Sequence, residues 1–231
     1  MKINIAIDGP SAAGKSTIAR CCAKRLGYAH LDTGAMYRCV AYLSKKMGID
    51  EQDEEALVKL IETMKIEFDS LGGIFVNKEE VTHFIRDNEM SLRASNISKL
   101  GKVRERLVAL QQAIAKNKGY ILDGRDIGTV VLPDAELKIY LVASVEARSQ
   151  RRINEYRMKK IVFNDEDIKA DIIKRDYQDS HRANSPLKKA DDAIEVDTSN
   201  MSIDEVNEYI ATLVDQVLLK EVTLKETSST L

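Results

Sequence analysis

The chain has 231 residues, of which 44% are hydrophobic and 31% are charged, and this composition excludes disorder as its main state. A length of this order fits one large α/β domain better than two full domains. With 35 basic and 37 acidic residues the net charge is -2, which excludes binding to nucleic acid or an anionic membrane through overall charge. Any anion site must therefore depend on a local group of arginine side chains.

The cysteine, histidine and N-terminal patterns exclude several other classes of site. The cysteines, Cys21, Cys22 and Cys39, form no C-x-x-C pair, which is typical of buried thiols in a reducing compartment. The 3 histidines lie too far apart in the sequence for metal-ligand spacing. We expect no signal peptide at the N-terminus, and no stretch approaches the roughly 18 apolar residues of a membrane span. We expect a cytoplasmic protein.

Five short apolar runs predict the strands of a parallel sheet, and helical periodicity follows each of them. The runs are Ile3–Ile7, Tyr28–Leu31, Tyr120–Leu122, Leu137–Val142 and Ala193–Val196. The first helix is expected to end at Gly27, and the last begins with a capping box from Ser202 to Glu205. Another helix, within residues 98–116, is predicted to have an apolar stripe of Val103, Leu107, Leu110 and Ile114. This alternation predicts an α/β fold of βαβ units.

Two stretches interrupt the alternation. Residues 63–93 contain the short apolar runs KIEF, IFVN and VTHFI around a Gly72-Gly73 turn, which predicts a small inserted antiparallel β unit. Residues 148–183 are dense in charge and poor in large apolar side chains, which predicts a helical segment that covers a site and moves. We treat residues 1–231 as a single domain that carries both stretches.

A P-loop motif follows the first predicted strand and begins the first predicted helix. The residues Gly9-Pro-Ser-Ala-Ala-Gly14-Lys15-Ser16 fit the pattern G-x-x-x-x-G-K-[ST]. Backbone N–H groups in such a loop bind phosphate oxygens, while Lys15 would bridge the β- and γ-phosphates and Ser16 would ligate Mg²⁺. The expected nucleotide-binding residues are Gly9, Pro10, Ser11, Ala12, Ala13, Gly14, Lys15, Ser16 and Thr17. P-loops also serve switch GTPases and transport ATPases, so the motif leaves the reaction open.

Charged residues follow the second and third predicted strands, where a parallel sheet presents its ligand crevice. After the second strand, Thr33 and Arg38 lie near the start of a helix and form a candidate anion site, while Asp32 is either functional or a simple N-cap. After the third strand, Asp123 is a candidate for orienting the Mg²⁺ shell and Arg125 for binding a phosphate. Asp126 could accept a hydrogen bond from an exocyclic amine such as N4 of cytosine.

A third group of charges lies in the predicted helical cover. It contains Arg148, Arg151, Arg152 and Arg157, followed by Arg175, Asp179 and Arg182. Residues three or four apart share a helix face, so several of these arginines align. A solvated charged face is the alternative explanation. We favour a phosphate site because the nearby acidic residues are expected to be too few to balance the arginines.

Taken together, the motifs resemble those of bacterial cytidylate kinases, a family of nucleoside monophosphate kinases. The segments IAIDGPSAAGKST, LDTGAMYR, DGRDIGTVVLPDA and RDYQDSHRANSPL occur in the family's order and span nearly the whole chain. The resemblance implies a P-loop fold with a five-stranded parallel sheet flanked by helices. It also implies that residues 63–93 form a monophosphate-binding subdomain and residues 148–175 a lid over ATP. The implied reaction transfers the γ-phosphoryl group of ATP to CMP or dCMP, with Mg²⁺.

The same resemblance implies roles for individual residues. The acceptor phosphate is assigned to Thr33, Arg38 and Arg125. The cytosine is assigned to Ser95, Arg104 and Asp126. The ribose is assigned to Arg175 and Asp179, with Arg182 also at the acceptor. The expected catalytic residues are Lys15, Asp123, Arg125 and Arg152, although which lid arginine contacts phosphate is left open.

Two alternative functions have to be distinguished from this one. The nearer is a kinase for another acceptor, such as UMP, AMP or a phosphorylated coenzyme precursor. The other is a regulatory P-loop switch or ATPase without a small-molecule acceptor. We expect small-molecule substrates, no nucleic acid or membrane partner, and a monomer.

Overall fold

The computed structural model describes residues 2–69 and 72–228, and side chains as far as residue 220. Contacts divide the chain into two units, residues 1–30 with 117–231 and residues 31–116. The strands are β1 (Ile5–Asp8), β2 (Ala29–Asp32), β3 (Ile66–Phe68), β4 (Ile74–Val76), β5 (Glu79–Glu80), β6 (Tyr120–Gly124), β7 (Leu137–Val142) and β8 (Ile194–Asp197). The helices are α1 (Lys15–Leu26), α2 (Thr33–Lys46), α3 (Glu54–Thr63), α4 (Asn88–Ile97), α5 (Gly101–Ala115), α6 (Val145–Met158), α7 (Asp165–His181) and α8 (Ile203–Ser228).

The larger sheet has the strand order β2-β6-β1-β7-β8. Strand β1 pairs in parallel with β6 and β7, and β7 pairs in parallel with β8. All four residues of β1 are buried, as expected for a central strand that helices cover on both faces. The five-stranded sheet with flanking helices confirms the predicted fold class. The predicted strand ends differ from the observed ones by at most two residues.

The core of the first unit lies between this sheet and the helices α1 and α8. Ile5 and Ile7 of β1 pack in the same buried cluster as Ile18 of α1 and Ile210 of α8. The predicted helix ends are confirmed. Helix α1 ends at Gly27, which has the left-handed φ of 64°. At the start of α8, the Ser202 N–H donates to a Glu205 carboxylate oxygen at 2.8 Å, and the Glu205 N–H donates to Ser202 Oγ at 3.2 Å.

The second unit carries the small antiparallel sheet, which has the strand order β3-β4-β5. Strands β4 and β5 are joined at Asn77 and Lys78, which have φ of 50° and 70°, as in a type I′ hairpin turn. The sheet lies inside residues 63–93, as predicted, but the VTHFI run is not a strand. Val81 and Ile85 are both fully buried at helical spacing, and the Ile85 N–H donates to the Val81 carbonyl at 3.1 Å. This run therefore forms a turn that leads into a short 3₁₀ helix, residues 84–86.

Helices α6 and α7 pack against each other in the first unit through a small apolar cluster. Ile153 of α6 and Ile168 and Ile172 of α7 are buried in it, and Ala12 of the P-loop packs against them. The predicted helical segment is thus two helices joined by residues 159–164 and fixed to the loop by apolar contacts. Within residues 2–69 and 72–228, no helix combines the length and the apolarity needed to cross a membrane.

Candidate functional site

The P-loop connects β1 to α1 at the carboxyl edge of the sheet. Gly9 and Gly14 have positive φ, 152° and 94°, which glycine adopts without strain and most residues do not. The side chain of Lys15 is buried, and its Nζ donates to the Pro10 carbonyl at 2.7 Å. Burial lowers the pKa of Lys15 well below its ordinary value, and the positive charge of Arg125 lowers it further. The loop therefore places a cation inside a concave backbone, beside the start of a helix.

Ser16 and Asp123 form a second element of the site. Ser16 Oγ donates to Asp123 Oδ2 at 2.7 Å, and His30 Nε2 lies 2.6 Å from Asp123 Oδ1. Burial favours the neutral form of Asp123, but His30 and Ser16 outweigh it and hold the pKa of the carboxyl below its usual range. The carboxylate is therefore ionised beside a hydroxyl group. The contact with His30 was not predicted, because 93 residues separate the partners.

Arg125 and Asp179 form an ion pair in the same unit. Arg125 Nε donates to Asp179 Oδ2 at 2.6 Å, with side-chain exposures of 19% and 9%. Burial opposes the charge on Asp179, but the charge and hydrogen bond of Arg125 lower its pKa, and the charge of Arg175 lowers it further. Three residues assigned to the acceptor by resemblance are thus electrostatically coupled. The structure places these three residues close together.

Asp126 directly follows Arg125 in the sequence and is buried. Arg182 Nη2 lies 3.5 Å from Asp126 Oδ1, and Arg182 Nε donates to the Ser185 carbonyl at 2.6 Å. Asp126 precedes a wide helical turn, residues 127–131, but its own side chain does not cap that turn. The cap comes from Asp8, whose carboxylate accepts from the N–H groups of Ile127 and Gly128 at 2.8 and 2.7 Å. Asp8 was not among the predicted site residues.

Asp8 should make stability depend on pH. Burial raises its pKa to about 6, although the two backbone donors lower it. An exposed aspartate has a pKa of about 4, so between about pH 4 and pH 6 the folded state keeps a proton that the unfolded state loses. Within this range the contribution of Asp8 to the free energy of unfolding falls as pH rises, by up to about 3 kcal/mol. Urea unfolding should show wild type losing stability relative to Asp8→Asn across the range.

This comparison separates Asp8 from the other buried carboxylates. The lowered pKa values of Asp123 and Asp179 act in the opposite direction, because they add stability that is lost as pH falls. Both groups are present in wild type and variant alike, so their contributions cancel in the difference. A difference in stability that stays constant with pH would contradict the prediction.

Arginines of α6 contact the backbone of the P-loop. Arg148 donates to the Ser11 carbonyl at 3.2 Å and forms a buried ion pair with Asp176 of α7 at 2.5 Å. The Asp176 carboxylate also accepts from the Ser11 N–H at 3.3 Å. Arg151 donates to the Ala13 carbonyl at 3.2 Å and contacts Thr198. Two guanidinium groups and one carboxylate therefore bind the loop backbone.

The expectation that acidic partners are too few is wrong for this cluster. Besides the Arg148–Asp176 pair, Arg152 Nε lies 3.5 Å from Glu155, and its guanidinium lies 5.7 Å from the centre of the Tyr156 ring. Arg157 lies 3.9 Å from Asp165. Of these acidic partners, Asp165 and Asp176 lie on α7, and Glu155 lies one turn further along α6. A search for arginines alone does not take such partners into account. Asp176 in particular was not predicted.

In the second unit, Asp32 is the N-cap of α2 and also pairs with Arg38. Its Oδ1 accepts from the Ala35 N–H at 2.8 Å, as an N-cap of α2, and its Oδ2 accepts from Arg38 at 3.0 Å. Thr33 is buried at the first position of α2. The pair fixes the Arg38 guanidinium at the N-terminal end of this helix, where an anion is also favoured by the helix dipole.

Ser95 and Arg104 are neighbours through Ser98. The Ser95 carbonyl accepts from Ser98 Oγ at 2.8 Å, and Arg104 donates to the Ser98 carbonyl at 3.2 Å. Arg104 is 4% exposed, and its guanidinium lies 5.7 Å from the centre of the Tyr37 ring. A charged group held this deeply inside the second unit is unusual for a purely structural residue.

Comparisons with known proteins test the resemblance that the motifs carry. A sequence model of the family described as cytidylate kinase matches residues 5–216. The cytidylate kinase of Streptococcus agalactiae serotype III (strain NEM316) is 49% identical over 94% of this chain and 97% of that protein. The cytidylate kinase of Bacillus cereus (strain ATCC 10987) is 47% identical over 95% of this chain and 99% of that protein.

Solved structures extend the comparison to the fold alone. The crystal structure of an uncharacterized protein from Eubacterium ventriosum aligns with a TM-score of 0.53 at 12% identity, over 94% of this chain and 99% of that one. The family matches confirm the resemblance and the nucleoside monophosphate kinase activity that the motifs predict. With such matches along nearly its whole length, the chain belongs to the cytidylate kinase family.

Proposed function

We propose that this chain transfers the γ-phosphoryl group of ATP to CMP or dCMP, giving ADP and CDP or dCDP. The observation that carries the proposal is the arrangement within the first unit. A P-loop with a buried lysine follows strand β1, Ser16 of α1 donates to Asp123 of the parallel neighbour β6, and Arg125, just after β6, pairs with Asp179 of α7. ATP is the donor that membership of a kinase family implies.

The proposed mechanism requires positioning and positive charge rather than a strong general base. The acceptor oxygen belongs to a phosphate that is already anionic, so no proton has to be removed from a hydroxyl group. Lys15 and Arg125 would offset the repulsion between donor and acceptor phosphates and the charge that develops on the transferred group. The helices α6 and α7, as the proposed lid with Arg152, would exclude water, which otherwise competes as an acceptor.

Mg²⁺ is implied by the family, and the residues present fit it. Ser16 Oγ, half-buried, and the buried, ionised Asp123 are hard oxygen donors close to the P-loop lysine. We propose that Ser16 ligates the ion and that Asp123 orients its shell, with His30 holding the carboxylate ionised. When bound, the ion would neutralise charge on the triphosphate oxygens.

The acceptor roles are proposed residue by residue. In the first unit, the proposed ligands of CMP are Arg125, Asp126, Arg175, Asp179 and Arg182. In the second unit, they are Thr33, Arg38, Ser95 and Arg104. Residues 63–93 are proposed as the monophosphate-binding subdomain and residues 148–175 as the lid. We also propose that the enzyme acts as a monomer in the cytoplasm and binds no nucleic acid.

Replacing Asp126 with alanine should weaken CMP binding and narrow the preference for CMP over UMP. A carboxylate accepts a hydrogen bond from the cytosine amine, whereas uracil presents a carbonyl at that position and is repelled. Losing a charged acceptor of this kind costs about 1.5–3 kcal/mol, which is about a tenfold to hundredfold rise in the KM for CMP. Steady-state kinetics with CMP, dCMP, UMP and AMP measures the change.

Two further variants sharpen this test. Asp126→Asn keeps the shape of the side chain but adds a hydrogen-bond donor for the uracil carbonyl. The KM for UMP should therefore be lower in Asp126→Asn than in Asp126→Ala. Asp134→Ala, at an exposed site in the same unit, should leave both acceptors unchanged. An Asp126→Ala variant with wild-type affinity for CMP would contradict the base-reading role. Equal rates for UMP and CMP in wild type would defeat the proposed function, and slow hydrolysis that no monophosphate accelerates would favour a P-loop switch.

A further inference from the structure

Asp8 reaches across the sheet to cap a turn that is 119 residues away in sequence. It is the last residue of β1, it is 5% exposed, and both carboxylate oxygens are engaged. Oδ1 accepts from the Ile127 N–H and Oδ2 from the Gly128 N–H, at 2.8 and 2.7 Å. These are the first two donors of the turn that begins after Asp126.

The first N–H groups of a helical turn need an acceptor, and the residue just before the turn normally supplies it. That residue here is Asp126, a residue type well suited to capping. Its carboxylate does not cap, however, and lies instead near Arg182. Because Asp8 satisfies the turn, the Asp126 side chain does not have to fold back on its own backbone.

We infer that Asp8 is a positioning residue for base recognition, because it caps the turn in place of Asp126 and so keeps the Asp126 carboxylate out of the turn's hydrogen bonds, beside Arg182, where it can accept from the base. The inference rests on the proposed function, in which Asp126 accepts from cytosine. Asp8 does not touch the substrate in this role. It acts by fixing the backbone that carries Asp126.

Gly128 supports this role by allowing the close approach. A Cβ atom at position 128 would lie 3.4 Å from Asp8 Oδ2 and 3.2 Å from Lys138 Cδ. A methyl group there would be tight against the Lys138 stem and in van der Waals contact with the carboxylate that the Gly128 N–H binds. The same backbone contact can therefore be disturbed from either end, at Asp8 or at Gly128.

The first test is Asp8→Asn, in which the amide nitrogen replaces one of the two acceptor oxygens. We expect the KM for CMP to rise about tenfold, which corresponds to the loss of about one hydrogen bond to a charged group. The preference for CMP over UMP should fall, while the KM for ATP stays within about twofold. Asp134→Asn, the same change at an exposed position, serves as the matched control.

This pattern differs from what a merely structural role would produce. A general loss of folded protein lowers the rate with every substrate and leaves each KM unchanged. Asp8 also precedes Gly9, so an effect passed to the P-loop would raise the KM for ATP. A KM for ATP that rises as much as the KM for CMP would overturn the inference, as would an unchanged KM for CMP.

A double-mutant cycle with Asp126→Ala separates the inference from the proposed function. If Asp8 acts through Asp126, adding Asp8→Asn to Asp126→Ala should raise the KM for CMP no further. An additive rise would overturn the inference alone. If Asp126→Ala itself leaves CMP binding intact, the base-reading role fails, and the inference fails with it. If the Asp8→Asn protein does not fold, Gly128→Ala replaces it in the same tests. For Gly128→Ala we expect the KM for CMP to rise about threefold.

Discussion

Replacing Lys15 with alanine should lower kcat at least about a hundredfold, equivalent to about 3 kcal/mol of transition-state stabilisation. Lys15 is buried beside the ionised Asp123 and the Arg125–Asp179 pair, so its removal leaves the P-loop side of the site without its own cation. The triphosphate then meets carboxylates without the charge that offsets them. Coupled measurement of ADP release at saturating ATP and CMP gives the change in kcat.

Lys24→Ala is the matched control for this variant. Lys24 lies on the same helix, α1, but is exposed, so the substitution removes the same charge and chain length outside the site. It should retain wild-type kcat and KM. If Lys15→Ala kept more than about a tenth of the wild-type kcat, the P-loop would not be the phosphoryl-transfer site.

The second large effect is expected from Gly9→Ala. A Cβ atom at this position would lie 2.1 Å from the Leu141 carbonyl oxygen, which is backbone of β7 and has no rotamer with which to move away. The φ of 152° adds strain for any residue with a side chain. Overpacking together with this strain should cost about 3 kcal/mol or more, or about 10 °C in Tm. ATP affinity should fall as well, because the loop can relieve the clash only by moving.

Gly27→Ala distinguishes the clash from the loss of a glycine. Gly27 also has a positive φ, 64°, but a Cβ atom there would meet nothing within 4 Å. That variant should lose only about 1 kcal/mol and keep its affinity for ATP. Thermal unfolding and ATP calorimetry on both variants measure the two effects. A Gly9→Ala protein as stable as Gly27→Ala would contradict the argument.

Features encoded by local patterns were predictable from sequence. The central strands appear as continuous apolar runs because helices cover both faces of a parallel sheet. The P-loop and the capping box at Ser202 are motifs of fixed spacing, because the hydrogen bonds that they form are local. The strand ends and the two cap positions were accordingly found within two residues of where they lie.

The stripe predicted for α5 shows where counting apolar residues fails. Val103 and Leu107 are fully buried as expected, but Leu110 is 39% exposed. Arg104 and Gln111 occupy the buried face in its place. The Arg104 guanidinium lies over the Tyr37 ring and donates to a backbone carbonyl, which makes its burial tolerable. The local sequence pattern does not show that Arg104 has the Tyr37 ring and the Ser98 carbonyl as partners.

The missed site residues have the same explanation. Asp8, His30 and Asp176 each act on a partner that is distant in sequence, so no spacing motif contains both members of the pair. One signal was nevertheless available for Asp8. A carboxylate that ends a fully buried strand has to find donors inside the protein, and the residues after the neighbouring strand are the nearest to supply them.

The ion pairs of Arg125 and Arg182 have a consequence for how fast nucleotides leave. Each guanidinium already has a carboxylate near it, Asp179 in one case and Asp126 in the other. If these guanidinium groups bind the nucleotide as proposed, its phosphate must compete with an internal anion, so the net gain is the small difference between two similar attractions. We then expect the enzyme to hold its nucleotides loosely enough to release product between turnovers, despite its many arginines.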